Sequence, residues 1–107
     1  MSSLMLINKM TVKSGKRDEV TAVLIESAAA FESREECIMS LVTHDADDPD
    51  VIWVQDVWTD EGAHQAAMST PSMQEFVRQA IPLLEGMPEQ HRVYPTGGKT
   101  PTGFPQA

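Results

Sequence analysis

Two stretches of this chain, Leu4-Met5-Leu6-Ile7 and Val51-Ile52-Trp53-Val54, are apolar at consecutive positions. Read as strands, they send alternate side chains to opposite faces, so apolar groups emerge on both sides of any sheet that contains them. An antiparallel sheet with one wet face shows a cleaner alternation of apolar and polar residues. A chain of 107 residues builds one compact domain around one core. Its helices suffice to cover a single face of such a sheet. The other face needs a cover, and a second copy is the simplest one because two-fold contacts are the commonest protein assembly. The expectation is a homodimer with sheets packed face to face.

The rest of the chain supplies the elements around those strands. Leu4 to Val12 reads as a first strand, with Leu4, Leu6, Met10 and Val12 on one face and Asn8 as the polar exception among them. Asp18 and Glu19 then suit a helix N-terminus, and the apolar spacing of Val20, Val23, Leu24 and Phe31 predicts a helix over about 16–33. Cys37 to Thr43 and Val51 to Trp58 flank an Asp/Pro-rich loop, which predicts an antiparallel hairpin. That loop lacks the spacing of an EF-hand and reads as a solvated turn. Thr59 is the expected N-cap of a short helix ending near Ser69. Pro71, with Ser72 and Glu75 in capping-box register, opens a helix whose stripe is Met73, Phe76, Val77, Ala80, Ile81 and Leu84. Pro82 should shorten its last turn, Gly86 ends it, and His91 to Tyr94 forms a short fourth strand.

The order β-α-β-β-α-β predicts an α+β, ferredoxin-like antiparallel sheet with helices on one face. The domain is expected over residues 1–95. Residues 96–107, rich in Gly and Pro and without periodicity, form a tail that is either mobile or an arm onto a partner.

Charge and motif content narrow the function. Sixteen acidic against eight basic residues give a net charge of −8, which repels phosphate backbones and anionic membrane surfaces, so neither nucleic acid nor membrane is an expected partner. The single cysteine, Cys37, excludes an internal disulfide and a thiolate cluster, and the three histidines have no ligand spacing, so no metal site is expected. The opening residues do not read as a signal peptide, which makes a cytoplasmic location the expectation. Nucleotide-binding glycine fingerprints and the serine-hydrolase elbow are missing from the sequence.

A candidate site gathers where the third strand meets the following helix. Trp58 ends that strand, His64 and Met68 stand one helical turn apart, and Asn8, Met73 and Phe76 belong to faces turned toward the same space. Asp56 shares a strand face with Trp58. Buried, it is a candidate general base; exposed, it is one more surface carboxylate. Trp58, Met68, Met73 and Phe76 have two readings, as plain core or as the lining of a ligand cleft.

The segments Val12-Lys13-Ser14-Gly15-Lys16-Arg17-Asp18-Glu19, Glu35-Glu36-Cys37, Trp53-Val54-Gln55-Asp56-Val57-Trp58-Thr59-Asp60-Glu61 and Ser69-Thr70-Pro71 together resemble antibiotic biosynthesis monooxygenase domains. The resemblance spans about residues 4–95 and implies a dimeric α+β barrel whose characterised enzymes oxygenate quinols or polycyclic phenols without metal or flavin. The chain departs from that pattern at Glu36 and Ser40, where members often carry glycine and tyrosine, and at Ala67, Met68 and Ser72, where many carry histidines. The activity implied by the resemblance is that of a cofactor-independent monooxygenase that oxidises a small quinol or polyphenol with O2. In this scheme His64 or Asp56 accepts the proton, Asn8 orients a hydroxyl, and Trp58, Met68, Met73 and Phe76 shape the pocket. Asn8 and Trp58 are also similar to residues of a haem-degrading branch of the superfamily, which makes haem the minority alternative. A third alternative is a non-catalytic, ligand-holding stress-response dimer.

Overall fold

A computed structural model describes residues 3–101 and 104. The element order is β1 (Leu4–Thr11), α1 (Arg17–Ala29), β2 (Cys37–His44), β3 (Val51–Trp58), α2 (Glu61–Met68), α3 (Pro71–Ala80), a 3-10 turn (Ile81–Leu83) and β4 (Glu89–Val93). All four strands pair antiparallel in the order β2-β3-β1-β4. This is the ferredoxin-like α+β arrangement that the sequence order predicts. β1 and β3 are the central strands, the two with four consecutive apolar residues.

The pairing register fixes what each face carries. Leu6 lies opposite Asp56 on β3, which in turn lies opposite Ser40 on β2; Asn8 lies opposite Val54 on one side and Gln90 of β4 on the other. These residues face the helices. On the reverse face Met5 pairs with Val57 and Val57 with Met39, and Ile7 pairs with Gln55 and Gln55 with Leu41. Leu41 is 50% exposed there, beside the half-buried Met5, Ile7 and Met39. Polar groups interrupt this outer surface: Trp53 donates its indole N–H to Asp45 (2.7 Å), Lys9 sits over the Trp53 ring, and Thr43 bonds the Trp53 carbonyl.

The helix side holds two packed clusters. Leu4, Leu6, Phe31, Trp58, Ala67 and Met73 form one, and Val12, Val20, Ile52, Val54 and Leu84 the other. Between them the packing is incomplete, and a cavity remains.

Several boundaries differ from expectation for identifiable local reasons. α1 stops at Ala29, and residues 30–33 continue as turns that carry Phe31 inward. Asp60 caps α2 in place of Thr59, because its carboxylate accepts the Ala63 N–H (2.8 Å). Thr70 caps α3 by accepting from the Met73 N–H, so the Ser72/Glu75 capping box does not form, and Glu75 is drawn into an ion pair with Arg78. Pro82 falls within the 3-10 turn that ends this region, as its missing donor predicts. Gly86 follows shortly after that turn at φ +78°, where the chain reverses into β4. β4 itself begins at Glu89, ahead of its expected start at His91. The expected tail over 96–107 falls partly outside the described residues.

Truncation of Leu6, 1% exposed within the first cluster and opposite Asp56 in the sheet, removes core volume. Leu6→Ala is expected to cost about 2–5 kcal/mol in urea denaturation, against about 1 kcal/mol for the half-buried cap change Thr70→Ala.

Candidate ligand cavity

A cavity of about 420 Å³ lies between the sheet and the helices. Its floor is the helix-facing side of the sheet, with Asn8 and Met10 from β1, Val54 and Asp56 from β3, Ser40 from β2 and Gln90 from β4. Val23, Leu24 and Ser27 of α1, His64 and Met68 of α2, and Met73, Phe76 and Ala80 of α3 form the walls. Gly86, Met87 and Pro88 run along the mouth. An apolar enclosure with few polar groups is the usual form of a small-molecule site.

Of the seven residues singled out in the sequence, six line this cavity: Asn8, Asp56, His64, Met68, Met73 and Phe76. Trp58 does not. It is 0% exposed and packs in the core behind the cavity wall, edge-on to Phe31 (5.0 Å, 81°) and to His64 (5.4 Å, 65°). Its place at the end of β3 brings it to the right region, but the aromatic and methionine side chains around it close it off. Trp58 therefore acts on the cavity through His64, whose ring it buttresses.

Asp56 is the one charged residue among the described buried positions, at 8% exposure. Strand alternation makes this unavoidable: Val54, Asp56 and Trp58 share a face, and that face is roofed by the helices. The Ser40 hydroxyl donates to Asp56 Oδ1 (2.7 Å). Burial pushes the carboxyl above its ordinary pKa, and the Ser40 hydroxyl and the Trp58 indole N–H oppose that rise. The indole nitrogen itself meets no acceptor within hydrogen-bond geometry. Its influence on Asp56 is therefore that of a nearby dipole rather than a formed bond.

His64 is half-buried, and burial, reinforced by the charge of Arg92, pulls its pKa down, with Glu61 opposing. Neutral imidazole thus predominates at pH 7. Arg92 and Glu61 pair with each other across β4 and α2 (2.7 Å). At the other end of the floor, the Gln90 amide donates to the Asn8 side-chain oxygen (2.9 Å). Cys37, on the same side of β2 as the core cluster around Trp58, is pushed up to about 11 by burial and by Asp56, which leaves it a neutral thiol. His44 bonds Thr21 (2.8 Å), His91 lies on the reverse face opposite Ile7, and among the described residues no group of three metal-ligating side chains occurs.

Sequence reasoning singled out neither Ser40 nor Gln90 as a site residue. Ser40 follows from the hairpin register once its pairing with Asp56 is known, while Gln90 precedes the expected start of β4.

The fold and its roofed cavity define a small α+β domain with a candidate ligand site, and comparison with known proteins specifies it further. The chain belongs to the antibiotic biosynthesis monooxygenase family, whose model matches residues 3–79. It is similar to the structure of a candidate antibiotic biosynthesis monooxygenase from Chloroflexus aurantiacus, with 36% identity over 92% of this chain and 98% of that one, at a TM-score of 0.81. SnoaB, a cofactor-independent oxygenase from Streptomyces nogalater, shares the fold at 17% identity and a TM-score of 0.76, covering 97% of this chain and 100% of its own. A family protein from Caulobacter crescentus does so at 16% identity and 0.81, covering 86% and 88%. Comparison with curated proteins gives no significant match. Among the described residues no helix is long and apolar enough to cross a membrane.

The sign of the Asp56 shift sets a stability prediction. A carboxyl whose folded pKa is raised binds its proton more tightly in the native state, so native stability falls as pH rises from near the ordinary 3.8 through the folded value. Asp56→Asn is expected to be more stable than the parent at pH 7, with the gap closing toward pH 4. Urea midpoints at the two pH values measure it, and a variant less stable at pH 7 would contradict it.

Proposed function

We propose that this chain is a cofactor-independent monooxygenase that oxidises a small quinol or polyphenolic aromatic with O2. The observation that carries the reading is a buried carboxyl facing an apolar cavity of about 420 Å³, a volume within the range of drug-sized ligand sites. Family membership and the fold shared with a cofactor-independent oxygenase support it. Asp56 accepts the phenolic proton, since a carboxyl with raised affinity for a proton is better matched to that work than an exposed one. Asn8 and Gln90 orient a second hydroxyl, and Met68, Met73 and Phe76 enclose the rings. His64 stands as the second acceptor.

The chemistry balances without an added reductant. Loss of the proton leaves a phenolate that passes one electron to O2. The radical and superoxide combine to form a C–O bond, the resulting peroxide anion takes the proton back from Asp56, and the hydroperoxide loses water together with the ring hydrogen to leave a quinone. One oxygen atom enters the product and the other departs as water, with every electron supplied by the substrate. Exclusion of water by the methionine and phenylalanine walls keeps the phenolate poorly solvated and hence easily oxidised.

The outer sheet face supports assembly as a homodimer. Met5, Ile7, Met39, Leu41 and Val93 form an incompletely covered apolar surface there, and a second copy of the same sheet matches it. Leu41→Glu is expected to convert a dimer to monomer in sedimentation at micromolar concentration. A parent chain that already sediments as a single subunit contradicts the dimer.

Haem fits the cavity less well. His64 and Met68 are iron-capable donors one turn apart, yet among the described lining residues there is no lysine or arginine to meet the propionates, and Asp56 would repel them. A non-catalytic binding role shares the cavity and differs in turnover. Oxygen uptake with a panel of quinols separates the two: consumption above the uncatalysed rate is expected, and Asp56→Asn should lower kcat/KM by about 10²–10⁴. No stimulation by any quinol that binds would leave the binding role standing and the enzyme reading refuted.

A further inference from the structure

The polar groups around the cavity are unevenly distributed by charge. Asp56 is the only ionic side chain among the described lining residues. Ser40, Asn8 and Gln90 are neutral, and His64 is held toward its neutral form by burial. Arg92, the nearest cation on the sheet floor, is opposite Leu6 and already paired with Glu61. Cys37, the other titratable group near Asp56, is a neutral thiol, and α1 and α3 turn only uncharged residues toward the cavity. A second negative charge placed inside would meet an existing carboxylate in a poorly screened space with no counter-ion.

We propose that Asp56, held by the Ser40 hydroxyl, is a charge filter that makes this cavity selective for uncharged hydroxylated aromatics and excludes ring systems bearing a carboxylate, sulfonate or phosphate. Ser40 is the positioning residue. Its 2.7 Å bond fixes one oxygen of Asp56 and leaves the other for a ligand hydroxyl. That bond also favours the charged form against burial, so Ser40 sets the pH at which the filter operates. Asn8 lies diagonally across the β1–β3 pair from Asp56, a spacing of roughly 7–8 Å between backbones, so a ligand with hydroxyl groups on different rings reaches both. The filter explains why this cavity needs no cation: its ligand arrives neutral and becomes charged only by giving its proton to Asp56.

The proposal rests on the cavity being the ligand site of the proposed function, and binding tests it apart from turnover. The probes are 1-naphthol and 1-naphthoate, matched in shape and differing in charge. Their dissociation constants are measured by equilibrium dialysis between about pH 5 and 8 in 0.15 M salt, where screening acts within about 8 Å and blunts the effect of the whole molecule's −8. At pH 8 naphthol should bind at least about ten-fold more tightly than naphthoate, with the ratio shrinking as Asp56 takes up its proton. Asp56→Asn should bring the ratio to within a few-fold at every pH. Ser40→Ala should move the midpoint of the pH dependence upward, and Ser40→Thr should restore it. If Asp56→Asn fails to fold, the Ser40 pair decides alone. Equal affinities at pH 8, a ratio that survives Asp56→Asn, an unmoved midpoint in Ser40→Ala, or no binding of either probe overturns the proposal. Selective binding without any quinol-dependent oxygen uptake sinks the monooxygenase reading and leaves the filter intact.

Discussion

The structure depends on two central strands that carry apolar side chains on both faces. β1 and β3 place Leu4, Leu6, Val54 and Trp58 under the helices while Met5, Ile7 and Val57 emerge on the reverse side. Burial of those residues is the main favourable term the fold has, since its one cysteine is free and its described ion pairs are surface ones. The helices do not completely fill the space above the central strand pair. The shortfall between the two packed clusters is the cavity, so the pocket is a consequence of how this sheet is roofed.

A polar residue on the roofed face must then be buried whatever its chemistry. Asp56 is forced inward by its place between Val54 and Trp58, and it receives one formed hydrogen bond from a protein partner. Such an arrangement costs stability that a well-packed leucine would not. Perturbed carboxyls in clefts cluster at functional sites, and that is the ground on which Asp56 is proposed as the proton acceptor. The trio of Trp58, Phe31 and His64 gives that cavity a rigid corner through edge-to-face ring packing.

Much of this architecture is legible in the sequence. Period-2 and period-3.6 patterns locate the strands and α-helices to within a few residues, and β3 matches to the residue because both its ends are marked, by the Asp/Pro loop before it and by the polar run Thr59-Asp60-Glu61 after it. The same patterns place Asn8, Asp56, His64, Met68, Met73 and Phe76 around one space. The end of α1 is not legible, because Phe31 keeps helical spacing while sitting in a turn, and neither is the competition between Thr70 and Ser72 to cap α3. Trp58 falls on the expected face but at a greater depth: alternation tells which side a residue faces and says nothing of what lies over it. Ser40 and Gln90 require the strand register, a property of pairs of segments that no single segment encodes.

The space beneath the helices is the proposed ligand site, and the methionines report on it directly. Met10, Met68, Met73 and Met87 line the cavity, whereas Met5 and Met39 lie on the opposite sheet face. Methyl NMR of the 13C-methionine-labelled chain during anaerobic addition of 1,4-dihydroxynaphthalene is the most direct measurement. Saturable shifts of the four cavity methyls, with Met5 and Met39 unmoved, are the predicted result; shifts confined to Met5 and Met39, or none at all, would contradict it.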